Sequence, residues 1–445
     1  MFADTIAAIS TPLAASGVAV IRISGKDSLK IAEKMFKPIG KTTVQNFEPN
    51  KMYVGEICCD GFCDYGMCVY FKSPKSFTGE EVIEFHSHGG TAIAKGVLKR
   101  AISLGARLAT NGEFTKQAFL NGKLSLSSAE GLIDMINSES ESGVKAGYYL
   151  YREKLTNEIT AMQDSLTDAL SEIDADMDFP EEDLELSSHE KVKETLNEVS
   201  KNISSLIKTF RVGRTLKEGV KVAIVGKPNT GKSSILNALL NYDKAIVSDV
   251  AGTTRDIVEG SSDINGVRFY FYDTAGIRES DDSIEKQGVK LSKKILSESD
   301  LVLFVIDGES LDATDNEIYK LVKDKNTIVV QNKNDKNTKV LDLAEISISA
   351  LTKNNIQKLR ELIYNKSVGN GVDLNGDFLC EERHYNALCR AEEKINEAIN
   401  NIDSVTLDLL SIDIKDAWDS LGEISGKTAT EDIIDNIFSK FCVGK

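Results

Sequence analysis

Apolar positions change rhythm twice along the chain. Up to about residue 118, short runs alternate apolar and polar side chains: residues 18–23 (VAVIRI), 53–59, 67–71 and 81–85 read as strands, because side chains on a half-buried strand repeat every second residue. Asp60-Gly61 marks a turn between the two middle strands. Residues 91–104 then adopt helical spacing at Ile93, Val97, Leu98 and Ile102, and from about 127 the repeat is that of long amphipathic helices. Leu155, Ile159, Met162, Leu166, Leu170 and Ile173 form one stripe; Val192, Leu196, Val199, Ile203, Leu206 and Phe210 form another, with Phe179-Pro180 between them. Residues 217–367 return to short buried-strand runs (221–225, 267–272, 301–306, 327–330), and helical spacing resumes at 383–402, 405–425 and 431–441. The pattern predicts a multidomain protein, part α/β and part all-α. A mixed α/β domain spans 1–118, a helical bundle is built from 119–216 and 368–445, and an α/β domain over 217–367 is inserted into the bundle.

The inserted block carries chemistry. Residues 226–233 (GKPNTGKS) fit G-x-x-x-x-G-K-[ST] between a strand (221–225) and a helix beginning near Ser234, so that backbone N–H groups wrap phosphates at a helix N-terminus. Lys232 is expected to reach the β/γ-phosphates and the Ser233 hydroxyl to ligate Mg²⁺. Asn332-Lys333-Asn334-Asp335 follows 106 residues after Gly226. The Asp335 carboxylate can accept from both N1–H and the 2-amino group of guanine, a donor pair that adenine lacks. Between them lie Gly252-Thr253-Thr254-Arg255-Asp256, where Thr254 would complete the Mg²⁺ shell, and Asp273-Thr274-Ala275-Gly276, whose aspartate would hold Mg²⁺ through water and whose glycine N–H would sense the γ-phosphate. Ile348-Ser349-Ala350, with Leu351, closes the base pocket. The nucleotide site thus takes in Asn229, Thr230, Gly231, Lys232, Ser233 and Ser234, then 248–254 (Ser248, Asp249, Val250, Ala251, Gly252, Thr253, Thr254) and the later motifs. This ordered set indicates a GTPase of Ras-like fold.

Ile277 stands where Ras-type GTPases carry a glutamine that orients the attacking water. An aliphatic side chain has no hydrogen bond to offer. Either an external activator supplies the missing group, or a carboxylate among Glu279, Asp281, Asp282 and Glu285 does. Arginine fingers accelerate such reactions by about 10³–10⁵; Arg255 and Arg278 are candidates in cis, and a monovalent cation held by Asn229 and loop carbonyls is another.

Composition adds limits. With 445 residues, 41% hydrophobic and 27% charged, the chain resembles an ordinary soluble protein of two to four domains. No apolar run approaches the roughly 18 residues that span a bilayer, and the first ten residues lack a basic signal-peptide start. The net charge of −16 makes the chain a poor generic polyanion binder, so nucleic-acid contact would need a local basic patch or a partner. Seven cysteines, an odd number, suggest reduced thiols in the cytoplasm. Cys58, Cys59, Cys63 and Cys68 do not match paired C-x₂-C spacing and read as small buried strand residues. The four histidines are scattered, although His86 and His88 beside Gly89-Gly90 can serve a pocket.

Outside the GTPase block, several motifs resemble the MnmE (TrmE) family of tRNA modification GTPases along essentially the whole chain. They are Asp4-Thr5-Ile6, Arg22-Ile23-Ser24-Gly25, Ser76-Phe77-Thr78-Gly79-Glu80, Val82-Ile83-Glu84, His88-Gly89-Gly90, Gly112-Glu113-Phe114-Thr115, Ala118-Phe119-Leu120-Asn121-Gly122-Lys123 and Phe441-Cys442-Val443-Gly444-Lys445. The stretches 13–17 and 86–87 depart from the family pattern in glycine content. The resemblance implies a potassium-stimulated GTPase that forms a homodimer. With an FAD-containing partner, MnmG (GidA), in a heterotetramer or larger complex, it would place a carboxymethylaminomethyl or aminomethyl group at C5 of the wobble uridine of certain tRNAs. The one-carbon unit would come from a 5-formyl- or methylene-tetrahydrofolate in the N-terminal domain, which also dimerises. Carried over by position, the folate contacts fall on Arg22, Glu84, Lys123 and Lys445, and the potassium ligands on Asn229, Ser248, Val250 and Thr253. The water-orienting carboxylate falls on Glu285. Cys442 is either a catalytic thiol or a residue that packs against a helix. Two other readings compete: a ribosome-assembly switch of the Era or Der kind, and a folate-dependent one-carbon transferase regulated by its GTPase domain.

Overall fold

A computed structural model describes residues 4–178, 185–241, 260–273, 294–308, 310–336, 339–369 and 377–445. The chain divides into two compact units, one from 1–133, 150–200 and 390–445, the other from 134–149 and 201–389.

In the first unit, β1 (Ile6–Ile9), β2 (Ser16–Ser24), β3 (Phe36–Pro38), β4 (Met52–Cys58), β5 (Cys63–Phe71), β6 (Val82–Gly89) and β7 (Arg107–Leu108) form one sheet in the order β3-β4-β5-β6-β2-β1-β7. Alternation decides what each face does. On one face Ile21, Ile23, Ile57, Cys68, Ile83 and Phe85 bury against the helices Ser28–Met35 and Thr91–Ser103 through Ile31, Met35, Ala94, Val97 and Ala101. On the other face β2 and β6 run antiparallel with Arg22 paired to Glu84. The short strand expected at 81–85 extends to Gly89. The unit also holds the helix Lys154–Asp178, which packs along Leu407–Ser425. Its stripe of Leu155, Ile159, Met162, Leu166 and Ile173 is buried, as are Leu410, Ile414, Ala417, Leu421 and Ile424. Helices with apolar seams are thus present in this unit; Phe179 and Pro180 lie outside the described residues.

The second unit is built on β8 (Val220–Val225), β9 (Gly260–Ile264), β10 (Val267–Asp273), β11 (Leu301–Ile306), β12 (Thr327–Gln331) and β13 (Ile346–Ser347), in the order β13-β12-β11-β8-β10-β9. Every pairing is parallel except β9 with β10. A parallel sheet must be covered on both faces. The helices Lys232–Leu240 and Ile356–Ser367 cover one, through Ile235, Leu239, Leu359 and Ile363; Val322 of the helix Ala313–Val322 helps to cover the other. The carboxyl ends of β8, β10, β11 and β12 share one rim, where open α/β sheets bind ligands.

The cysteines differ from expectation. Cys68 is buried, but Cys58 and Cys59 are half-buried and Cys63 is exposed. Cys58 and Cys63 face each other across the β4–β5 hairpin on its outer side, whereas Cys59 packs against the core.

Candidate functional site: a nucleotide rim and a basic-aromatic face

β8 ends at Val225 and the chain turns through Gly226 (φ +155°), Asn229 (φ +65°) and Gly231 (φ +91°) into the helix at Lys232. A Cβ on Gly226 would stand 2.3 Å from the Val305 carbonyl oxygen, and one on Gly231 would stand 2.3 Å from the Asn332 amide nitrogen. Only glycine lets the loop lie this close to its neighbours. Lys232 is 4% exposed, and its ammonium donates to the Gly226 and Lys227 carbonyls at 2.9 and 2.8 Å, which curls the side chain over the loop. The Ser233 hydroxyl donates to Asp273 Oδ2 at 2.8 Å, at the end of β10. Hydroxyl and carboxylate are both hard oxygen donors of the kind Mg²⁺ takes. Thr230 is fully buried and donates to the Lys227 carbonyl; Ser234, like Ser233, is exposed.

The segments expected to read the base meet this loop directly. Asn332, 2% exposed, donates to the Thr230 carbonyl at 2.9 Å and accepts from Ala350 N–H at 3.1 Å. Lys333 donates to the Asn229 carbonyl at 2.6 Å and to Asp307 at 2.7 Å. Ser349 donates to Asp335 Oδ1 at 2.6 Å, and that bond holds the Asp335 carboxyl below its usual range, so it is an acceptor at neutral pH. Leu351 is 81% exposed beside it. Sequence reading did not single out Lys227, Asp307, Asp312 or Asp315. Lys227 reaches Asp312 and Asp315 at 2.9 and 3.0 Å, and those hydrogen bonds push its pKa up. Asp312 also caps the helix Ala313–Val322, accepting from Asp315 N–H at 2.8 Å. Ser248, Asp249, Val250, Ala251, Gly252, Thr253, Thr254, Thr274, Ala275, Gly276, Ile277 and Glu285 lie outside the described residues.

In the first unit, Arg22 donates to Glu84 at 2.7 Å and lies over the rings of Phe77 and Phe114 at 5.2 and 5.6 Å. His86 Nε2 stands 3.5 Å from the second Glu84 oxygen. Burial works against ionising Glu84, but His86 and Arg22 outweigh it and hold the carboxyl below its usual range. The 73–81 segment ties this face together. Thr78 contacts Ser24 at 2.8 Å, Asn121 donates to the Thr78 carbonyl, and Lys123 donates to the Pro74 carbonyl at 3.0 Å. The tail joins from the other side, since Phe114 N–H donates to the Lys445 carbonyl at 3.2 Å and Ser10 to that of Gly444 at 3.1 Å. Arg22, Glu84 and the 442–445 tail are thus linked through Phe114, while Lys123 meets them through the 73–81 segment. Cys442 is exposed. Phe77, Phe114 and His86 complete the face; the motifs containing the first two were legible, their ring contacts were not.

The 226–233 loop and the 332–335 motif share one rim of one sheet, the arrangement of a P-loop GTPase domain. Two family models match the chain: "MnmE helical domain" over residues 126–442 and "GTP-binding protein TrmE N-terminus" over 5–123. The tRNA modification GTPase MnmE of Clostridioides difficile (strain 630) is 39% identical over 99% of each chain, and that of Streptococcus pneumoniae (strain Hungary19A-6) likewise. A crystal structure of Aquifex aeolicus Era bound to GDP.AlF4- is 36% identical over 39% of this chain and 66% of that one, with a TM-score of 0.28. The chain belongs to the MnmE family of tRNA modification GTPases. Among the described residues no helix is long and apolar enough to cross a membrane.

Proposed function

We propose that this GTPase couples potassium-stimulated GTP hydrolysis to modification of tRNA at C5 of the wobble uridine. It would act as a homodimer in the cytoplasm with an FAD-containing MnmG partner, using a one-carbon unit from tetrahydrofolate. The observation that carries the GTPase half is the convergence of Lys232, Ser233–Asp273 and Asp335–Ser349 on one rim. Lys232 would exchange loop carbonyls for the β/γ-phosphates. Ser233 and Asp273 would hold Mg²⁺, and Asn229 with Ser248, Val250 and Thr253 the potassium ion. Glu285 would orient the attacking water that Ile277 cannot.

The first unit supports the one-carbon half. Arg22, Lys123 and Lys445 offer cations for the glutamate carboxylates of a folate, Glu84 offers an acceptor for a pterin edge, and Phe77 and Phe114 offer ring faces. A folate bound there supplies a carbon at the formaldehyde or formate level; the protein's part is to hold and orient it. Cys442, exposed next to that face, is proposed as a reactive thiol. Agreement along the whole chain favours this reading over an Era- or Der-type ribosome-assembly switch. The test is nucleoside analysis of tRNA from a deletion strain. The C5-modified wobble uridine should disappear and return with the wild-type gene; an unchanged nucleoside profile would refute the assignment.

A further inference from the structure

On the outer face of the β4–β5 hairpin, Glu56 and Cys58 are two residues apart on β4 and therefore share a face. Cys63 is the cross-strand partner of Cys58. The register is fixed by a two-residue turn, Asp60-Gly61, with Gly61 at φ +94° and Cys59 N–H donating to the Phe62 carbonyl at 2.8 Å. That bond makes Cys59–Phe62 the hydrogen-bonded pair, so Cys58–Cys63 is a non-hydrogen-bonded pair, in which side chains approach most closely. The donor atoms of Glu56, Cys58 and Cys63 all lie within 4.8 Å of one another. Tetrahedral zinc with Zn–S bonds near 2.3 Å needs its sulfurs about 3.8 Å apart, within reach of small side-chain rotations.

We propose that Glu56, Cys58 and Cys63 form a binding site for one borderline-soft divalent cation, of which Zn²⁺ is the model. Two thiolates and one carboxylate select against Mg²⁺ and Ca²⁺, which take all-oxygen shells. Both thiols release their protons on binding, and the three anionic donors leave one position for water. Cys63 and Glu56 are exposed and Cys58 is half-buried, so an ion can enter from solvent. Lys37, the cross-strand partner of Glu56 on β3, is the competing cation. Cys59 and Cys68 point to the core and take no part.

The test uses the reduced full chain, titrated anaerobically with Co²⁺ and then with Zn²⁺ against a chromophoric chelator. One equivalent of Co²⁺ should produce thiolate-to-metal charge-transfer absorption. Cys58→Ser and Cys63→Ser should each weaken Zn²⁺ binding by at least about tenfold, a loss that even an outer-shell partner can cause. Glu56→Gln should weaken binding while keeping the charge-transfer band, and Cys59→Ser should change neither. Far-ultraviolet circular dichroism and a cooperative thermal melt, recorded in parallel, report that each variant is folded. Absence of the band in wild type would overturn the proposal. So would its survival in the Cys58→Ser/Cys63→Ser double variant, or a Cys58–Cys63 disulfide that forms while the reduced protein binds no metal.

Discussion

Asp335 shows how much of a site a single residue type can disclose. Its carboxylate, kept ionised by Ser349, is an acceptor on the rim, and the two donors proposed for it are those of guanine. Asp335→Asn removes the charge from that recognition, and hydrogen bonds to charged groups contribute about 1.5–3 kcal/mol. GTP affinity should fall on the order of 10- to 100-fold, while xanthine nucleotide, which offers one donor and one acceptor there, should gain; calorimetric titration of both nucleotides measures this, and unchanged GTP affinity would exclude the pairing. Glu285, assigned through family resemblance, is tested by Glu285→Ala. Single-turnover hydrolysis should lose most of its rate with GTP affinity kept, and near wild-type hydrolysis would remove Glu285 from the role. Motif residues were readable because their spacing is set by chemistry. Lys227, Asp307 and Phe114 were not singled out, because their roles arise from which segments the fold brings together, and linear spacing does not encode that.

Strands and helices were legible wherever the burial period was clean. β11 matches the apolar run at 301–306 end to end, and the 154–178 stripe became a buried seam. Less visible were the two-residue β7 and β13, too short to show any period, and the helices Leu126–Asn137 and Glu141–Tyr151, whose serines and glycines blur the stripe. In the second unit these last elements contribute Asp134, which meets Lys217 at 2.8 Å; Lys217 also pairs with Glu381. Burial, with Glu381 adding to it, pushes the Asp134 carboxyl up to about 8 against its partner Lys217. A raised carboxyl pKa favours the folded state while the group is protonated. The contribution is therefore complete below the unfolded value of 3.8 and is lost as pH rises through about 8. The decline is at most about 1.4 kcal/mol per pH unit. Asp134→Asn keeps a neutral side chain beside the Lys217–Glu381 pair, so thermal stability should decline less between pH 6 and 9 than in wild type, by on the order of 1 kcal/mol. Parallel melting curves across that range would disprove the role.

At the scale of the molecule, the nucleotide rim and the Arg22 face belong to two separately built units, and substitutions should separate the activities proposed for them. Gly444 adopts φ +99°, and a Cβ there would stand 2.4 Å from the Ile9 carbonyl oxygen. Gly444→Val should displace the tail from the Arg22 face, abolishing folate binding and tRNA modification while leaving GTP turnover unchanged; equal folate affinity in both proteins would show that the tail is not part of that site. Replacing sodium by potassium should raise GTP turnover by at least about tenfold, a barrier change of about 1.4 kcal/mol, and equal rates in the two salts would reject the alkali-ion site. The parallel sheet within 217–367 was legible because the change of period is abrupt on both sides; the outer faces of the first sheet were not, since alternation reports which residues are inside and leaves the use of the others open. One buried amide has a wider consequence. Asn332 clasps the Thr230 carbonyl with one end and Ala350 N–H with the other, so recognising the purine and shaping the anion cradle become a single mechanical act. Guanosine, though it carries no phosphate, should slow deuterium uptake at the amides of 226–231, and adenosine should leave them as they were.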